Sequence, residues 1–130
     1  MGDSFEISIV LAASAQRVYE AWLSSAEHGA MTGGAAQIDP SVGGRFNAWD
    51  GYITGTTLEL VPYHHIVQSW RTVEFPADAP DSRLEILLDE KPDGTHLTMK
   101  HSQIPAGQGS SYENGWIDNY FDPMKDYFAE

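Results

Sequence analysis

Between Ser110 and Phe128 the chain carries a run that suits one regular structure and sets a task for everything before it. Tyr112, Trp116, Ile117, Tyr120, Phe121, Met124, Tyr127 and Phe128 fall on one half of a helical wheel at about 100° per residue. Asn114, Asp118, Asn119, Asp122, Lys125 and Asp126 fall on the other half. Ser110 and Glu113 have capping-box spacing, which predicts a helix beginning at Ser110 and accounts for a glutamate inside the apolar arc. Pro123 lacks an N–H and costs a helix interior roughly 3 kcal/mol, so with Asp122 before it a kink or a restart is expected. A helix with so bulky a face must bury it against another element.

The earlier chain provides that element. Phe5 to Leu11 alternates, with Phe5, Ile7, Ile9 and Leu11 on one side and Glu6 and Ser8 on the other, as a half-buried strand does. Ser14 caps a predicted helix to about Leu23, with Val18 and Trp22 on its inner side. Ser24 and Glu27 repeat the capping-box spacing and predict a second short helix that stops near Gly33-Gly34. Strands are then expected at Ala36–Ile38, Gly44–Trp49, Tyr52–Val61, Ile66–Glu74, Arg83–Asp89 and His96–Ser102. Asp50-Gly51 marks a hairpin, Gly55 a bulge or bend, and the prolines at 76 and 80 a loop.

One face of every strand can be chosen consistently. Phe46, Ile38, Leu58, Leu60, Ile66, Trp70, Leu84, Ile86, Leu88, Leu97 and Met99 join the first strand's apolar set inside, while Arg45, Asn47, Glu59, Arg71, Glu85, Asp89 and Lys100 point out. One-sided alternation of this kind belongs to an antiparallel sheet with one wet face. The sheet must cover its inner face, and the C-terminal helix is the element long enough to do so. The expected fold is therefore α+β, one domain over residues 1–130: a curved, mostly antiparallel sheet of about six or seven strands gripping a long helix, with two short helices after the first strand.

Composition narrows the partners. Seven basic against nineteen acidic side chains leave a formal charge of −12, which repels phosphate backbones and anionic lipid, so neither nucleic acid nor membrane is expected. Cysteine is absent, which removes disulfides, thiolate metal sites and a cysteine nucleophile. No signal segment or membrane-length apolar run stands out, and a cytoplasmic location is the expectation.

Gly43-Gly44-Arg45-Phe46, Asp50-Gly51, Gly55, Leu60-Val61-Pro62, Ile66-Val67, Trp70-Arg71, Gly94-Thr95, Ile104-Pro105, Gly115-Trp116 and Tyr120-Phe121 form an ordered set across nearly the whole chain. In order and spacing it resembles the C-terminal domain of the heat-shock-protein-90 ATPase activator family, within the START-like superfamily. The resemblance implies the helix-grip fold, a sheet wrapped around a long helix with a cavity between them. Eukaryotic co-chaperones of that family carry a further N-terminal domain outside the part this chain resembles. The wider superfamily includes lipid and hormone carriers and polyketide cyclases, so the resemblance alone selects no activity. The chain departs from the pattern at Pro123 and at Phe75-Pro76, where tryptophan precedes the proline in the co-chaperones.

The inner face has polar exceptions: Tyr52, Thr54, Thr56, Gln68, Thr72 and His101. A buried polar group without a partner costs roughly 1–3 kcal/mol, so each must find one. His101 either bonds a backbone carbonyl or Tyr120, or it joins Gln68 and Tyr120 as the polar groups of an aromatic pocket. The residues expected to line such a pocket are Phe46, Gln68, Trp70, Met99, His101, Trp116, Tyr120 and Met124. The histidine pairs 64/65 and 96/101 lack ligand spacing, and no phosphate loop or dinucleotide fingerprint is present, so neither metal nor cofactor is expected. Gly109-Ser110-Ser111 is not a nucleophile elbow, and Glu113 and His101 serve a general-base mechanism only if both line one cavity.

Three readings follow. The first is a non-catalytic module that binds a small apolar or aromatic molecule between sheet and helix. The second is a chaperone-linked protein-interaction module, and the third a small cyclase- or hydrolase-type enzyme using the same cavity. Met31 and Phe75 are apolar residues without an assigned place in the core, and they suggest self-association as a homodimer.

Overall fold

A computed structural model describes residues 2–129. The element order is β1 (Asp3–Leu11), α1 (Ala15–Leu23), α2 (Ser25–Thr32), β2 (Ala36–Ile38), β3 (Arg45–Ala48), β4 (Ile53–Val61), β5 (His65–Thr72), β6 (Ser82–Lys91) and β7 (Gly94–Ile104), then a C-terminal helix. That helix runs as α3 (Gly109–Trp116), a π-helical turn (Ile117–Phe121) and α4 (Asp122–Tyr127). The strands form one antiparallel sheet in the order β1-β7-β6-β5-β4-β3-β2, so the first strand closes one edge beside the last. Both short helices start where the caps predict: Ser14 Oγ accepts from Arg17 N, and Ser24 Oγ from Glu27 N. Gly33, at φ 84°, ends the second in the left-handed conformation that glycine adopts without strain. The result is the helix-grip fold. Among the described residues no helix is long and apolar enough to cross a membrane.

The inner-face assignment needs one correction, in β4. Ile53, Gly55 and Thr57 point inward, whereas Tyr52 lies in the preceding turn and Thr54 and Thr56 are half-buried on the other side. Phe46 explains the phase. It pairs with Gly55 across the β3–β4 ladder, and a Cβ on residue 55 would lie 2.5 Å from the Phe46 ring and 2.0 Å from Ser69 O. Glycine is thus the residue that lets Phe46 cover the strand. The bulge falls three residues later, between Thr57 and Glu59, and leaves Leu58 exposed, not inward. A bulge inserts one unpaired residue and switches the face. Leu60 is thereby returned to the core side.

The C-terminal helix differs from expectation at its start and at its middle. It begins at Gly109 with no side-chain cap from its own first turn, and Ser110 is exposed within it. The capping is done by β1. Asp3 Oδ2 accepts from both Gly107 N and Gly109 N, each at 2.9 Å, which satisfies amides that a helix start leaves open. Replacing Asp3 with alanine is expected to cost about 1 kcal/mol in urea unfolding, the usual magnitude for loss of a helix cap.

The middle of the helix answers Pro123 without a break. Asp122 N bonds Ile117 O, five residues back, so one residue is added to the turn just ahead of the proline. The buried residues Tyr112, Trp116, Tyr120, Met124 and Phe128 recur every fourth position. On an ideal α-helix such steps drift about 40° each, or about 160° over the run. One widened turn reduces that drift to about 60° and keeps the aromatic face on the sheet. Ile117, expected inside, is displaced to the surface at 36% exposure.

Met31 and Phe75 are both core residues, which removes the grounds on which they suggested self-association. Phe75 packs on Trp70 and Tyr112, with ring centroids 6.1 and 6.0 Å apart.

Candidate functional site

A cleft of about 410 Å³ lies where the N-terminal half of the C-terminal helix faces the β3–β4 hairpin. The sheet side contributes Trp49 and Tyr52 from the hairpin end, Ile53 from β4 and Trp70 from β5. The helix side contributes Ser111, Tyr112, Gly115, Trp116, Asn119 and Tyr120, in steps of three and four that bring them to one face. Ile53, Trp70, Tyr112, Trp116 and Tyr120 are buried, while Ser111 and Asn119 are exposed at the lip. Trp49 holds φ 54° and Asp50 φ 61°, so the hairpin end turns through left-handed backbone before Gly51 at φ 91°.

Of the residues expected to line a pocket, Trp70, Trp116 and Tyr120 line this cleft. Phe46 and Gln68 lie behind it, against a void of about 10 Å³, one water at most. Met99, His101 and Met124 are fully buried and do not line the cleft. Trp49, Tyr52, Ile53, Ser111, Tyr112, Gly115 and Asn119 complete the wall and were not among the candidates. Their signals are weak in sequence: a tryptophan beside a hairpin turn, and a glycine inside a helical pattern.

The buried polar groups are satisfied by the protein. Gln68 Oε1 accepts from Trp22 Nε1 at 3.3 Å, and its Nε2 donates to Thr57 Oγ1 at 3.2 Å. His101 Nδ1 accepts from Trp116 Nε1 at 3.1 Å, so the ring proton sits on Nε2 and is donated to Ser82 Oγ at 2.8 Å. Ser82 in turn donates to Trp70 O at 2.6 Å. The chain of bonds links two walls of the cleft, Trp116 and Trp70, through a neutral imidazole. Burial pushes the His101 pKa down to about 3. Its partners are thus Trp116 and Ser82, not a carbonyl or Tyr120. Ser82 extends the inward series Leu84, Ile86, Leu88 by one more step of two, a signal available in the sequence. Ser82→Ala is expected to cost about 1–3 kcal/mol in urea unfolding, because the His101 Nε2–H and Trp70 O lose a buried partner together.

His28 is a second buried histidine that the sequence reading left unassigned. Its Nδ1 faces Trp22 O at 2.9 Å and must donate, so Nε2 accepts the hydroxyl proton of Tyr120 at 2.8 Å. Burial lowers the His28 pKa and raises that of Tyr120, and both groups are therefore neutral. At the lip, Tyr52 OH donates to Glu74 Oε2, Tyr112 OH to Gln108 Oε1, and Gln108 Nε2 to Glu74 O. Thr72 Oγ1 lies 2.7 Å from Tyr112 OH and completes the network. Burial and the Glu74 hydrogen bond push the Tyr52 hydroxyl up to about 12.

Glu113 and His101 do not meet in the cleft, since neither lines it. Among the described residues no group of three or more histidine, aspartate or glutamate side chains is placed to hold a metal ion.

Residues 12–129 match the family model described as Activator of Hsp90 ATPase homolog 1-like protein. The chain belongs to this family. It is 29% identical over 116 residues to the human activator of 90 kDa heat shock protein ATPase homolog 1, covering 89% of this chain and 34% of that protein. The chain thus spans about a third of that relative's length. An HSP90 activator from Plasmodium falciparum superposes with a TM-score of 0.88 at 25% identity, over 98% of this chain and 97% of the other. The solution structure of the Aha1 dimer from Colwellia psychrerythraea superposes with a TM-score of 0.77 over 97% and 96% of the two chains. At 12% identity that likeness bears on the fold alone. Within this family's fold, the cleft described above is framed by Trp70 and by Gly115-Trp116 with Tyr120, residues that also belong to the ordered set read from the sequence.

Proposed function

We propose that this domain is a non-catalytic binding module that holds a small apolar or aromatic molecule in the cleft between the hairpin end and the C-terminal helix. The observation that carries the reading is a hollow of about 410 Å³ walled by six aromatic rings. Pockets for small molecules fall in the range of about 300–1,000 Å³ and are mainly apolar with a few placed polar groups. Here the polar groups are Ser111 and Asn119 at the lip, with the hydroxyls of Tyr52 and Tyr112 held there by Glu74 and Gln108. The buried imidazole of His101 acts one layer back, bracing Trp116 against Trp70.

Native mass spectrometry of the freshly purified protein, compared with its denatured mass, tests this. A small adduct that is lost on denaturation is the expected result. A bare mass, together with no binding from a library of neutral aromatic compounds at millimolar concentration, would overturn the reading. The same spectrum distinguishes monomer from homodimer.

A second reading is favoured by the similarity to the human activator. In it the domain engages a 90 kDa heat-shock chaperone through its surface, and the cleft is incidental. That reading predicts that the purified protein changes the ATPase rate of the chaperone from its own organism. An unchanged rate at saturating concentration would count against it.

A further inference from the structure

We propose that the cleft selects organic cations: compact molecules that carry a positively charged nitrogen beside an apolar body. The inference rests on the cleft being a small-molecule site, and it adds the charge of the occupant.

The wall itself is the first ground. Its rings do not stack into a flat slab. Trp70 and Tyr112 meet at 79° with centroids 5.0 Å apart, Trp116 and Tyr120 at 57° and 4.6 Å, and Trp49 and Tyr120 at 72° and 6.4 Å. Rings set at such angles around a hollow present π-surface from several directions. Each aromatic face carries partial negative charge, and a cation within about 6 Å of a ring centroid is attracted to it, most strongly where water is displaced.

The absence of any positive group from the wall is the second. None of the lining residues is lysine, arginine or histidine. The charged side chain bonded to the wall is anionic: Glu74, which takes the Tyr52 hydroxyl. Its field also reaches Tyr112.

The third ground is where the phenol protons go. Tyr52 donates to Glu74, Tyr112 to Gln108 Oε1 and Tyr120 to His28 Nε2. Gln108 is oriented by its own donation to Glu74 O, and His28 by its donation to Trp22 O, so neither acceptor can reverse its role. Tyr52 therefore offers lone pairs, not a proton, to anything entering, and neither Tyr112 nor Tyr120 has a free phenol proton to give. A carboxylate or phosphate would meet ring faces, a phenol lone pair and Glu74, with only the neutral donors of Ser111 and Asn119 at the lip and no cation to pair with. An ammonium group meets the same surroundings as partners. The formal charge of −12 acts in the same sense at longer range.

The test uses three probes on the intact protein, read by tryptophan fluorescence and calorimetry: benzyltrimethylammonium, its neutral isostere neopentylbenzene, and phenylacetate. The expected result is binding of the cation at least about ten-fold tighter than the isostere, with phenylacetate undetected. Glu74→Gln, a change at an exposed residue, is expected to weaken the cation about two- to five-fold and leave the isostere unchanged. Equal or tighter binding of the neutral isostere, or binding of phenylacetate, would overturn the charge selection while leaving the small-molecule reading intact. If none of the three binds, both fail.

Discussion

Acidifying the protein from about pH 7.5 to about pH 5 is expected to remove about 2 kcal/mol of folding stability through His101 alone, with His28 adding in the same direction. His101 has a folded pKa of about 3 against an ordinary value of 6.5. Because the folded value is depressed, the unfolded chain takes up the proton first. The stability is therefore fully present above about pH 6.5 and declines as the pH falls toward 3. His28, buried against Trp22 and Tyr120, shifts the same way for the same reason. The window chosen lies above the ordinary range of carboxylates, so the histidines dominate it. Urea unfolding at the two pH values measures the effect, and in His101→Gln the part of the slope due to this residue disappears. A stability that stays flat across the window would mean that the imidazole is solvated or already paired with an acid.

Replacing Gly115 with leucine is expected to lower the affinity of the cleft for any small ligand at least about ten-fold without unfolding the protein. Gly115 sits in α3 on the cleft wall, and a Cβ there would meet only Asn119 Nδ2, at 3.8 Å. The added side chain therefore grows into the hollow and not into the core. Glycine inside a helix is worth up to about 1 kcal/mol less than a good helix former, so stability should hold or rise by up to about that amount. Loss of binding with a gain in stability separates plugging of a site from damage to the fold. A leucine variant that binds as tightly as the parent would place the ligand elsewhere.

Most of the architecture is legible in the alternation of apolar residues along the strands and in the two serine caps, because these signals are local. Two of the departures share a physical cause: each depends on a partner outside its own element. The phase of β4 is set by Phe46 lying on Gly55, and the bulge that restores Leu60 to the core comes at Leu58, which is itself apolar and gives no warning. The C-terminal helix is capped by Asp3, from the opposite end of the chain. The widened turn before Pro123 is readable in retrospect, since a run of buried residues at strict four-residue intervals cannot stay on one face of an unbroken α-helix.

The site divides along the same line. Trp70, Trp116 and Tyr120 are found from periodicity because they are buried members of a strand or a helix face. Trp49, Tyr52 and Asn119 belong to the rim, where a turn or an exposed helix face supplies them and no hydrophobic pattern marks them. His101 and Gln68 are rightly placed inside, but their hydrogen bonds are closed among Ser82, Trp116, Trp22 and Thr57, which makes them braces of the wall. Polarity in a core position points to a partner; only geometry tells whether the partner is protein or ligand.

The central claim, that the cleft is the binding site, is tested most directly by nuclear magnetic resonance of the four indole N–H groups. Three tryptophans (Trp49, Trp70 and Trp116) line the cleft, while Trp22 is held behind it by Gln68. Titration with a small aromatic compound, first benzyltrimethylammonium and then neutral 2-naphthol, should shift the Trp49, Trp70 and Trp116 signals together on one saturating curve and leave Trp22 nearly still. Signals that do not move, or that move only for Trp22 or for surface amides remote from the hairpin end, would contradict the account.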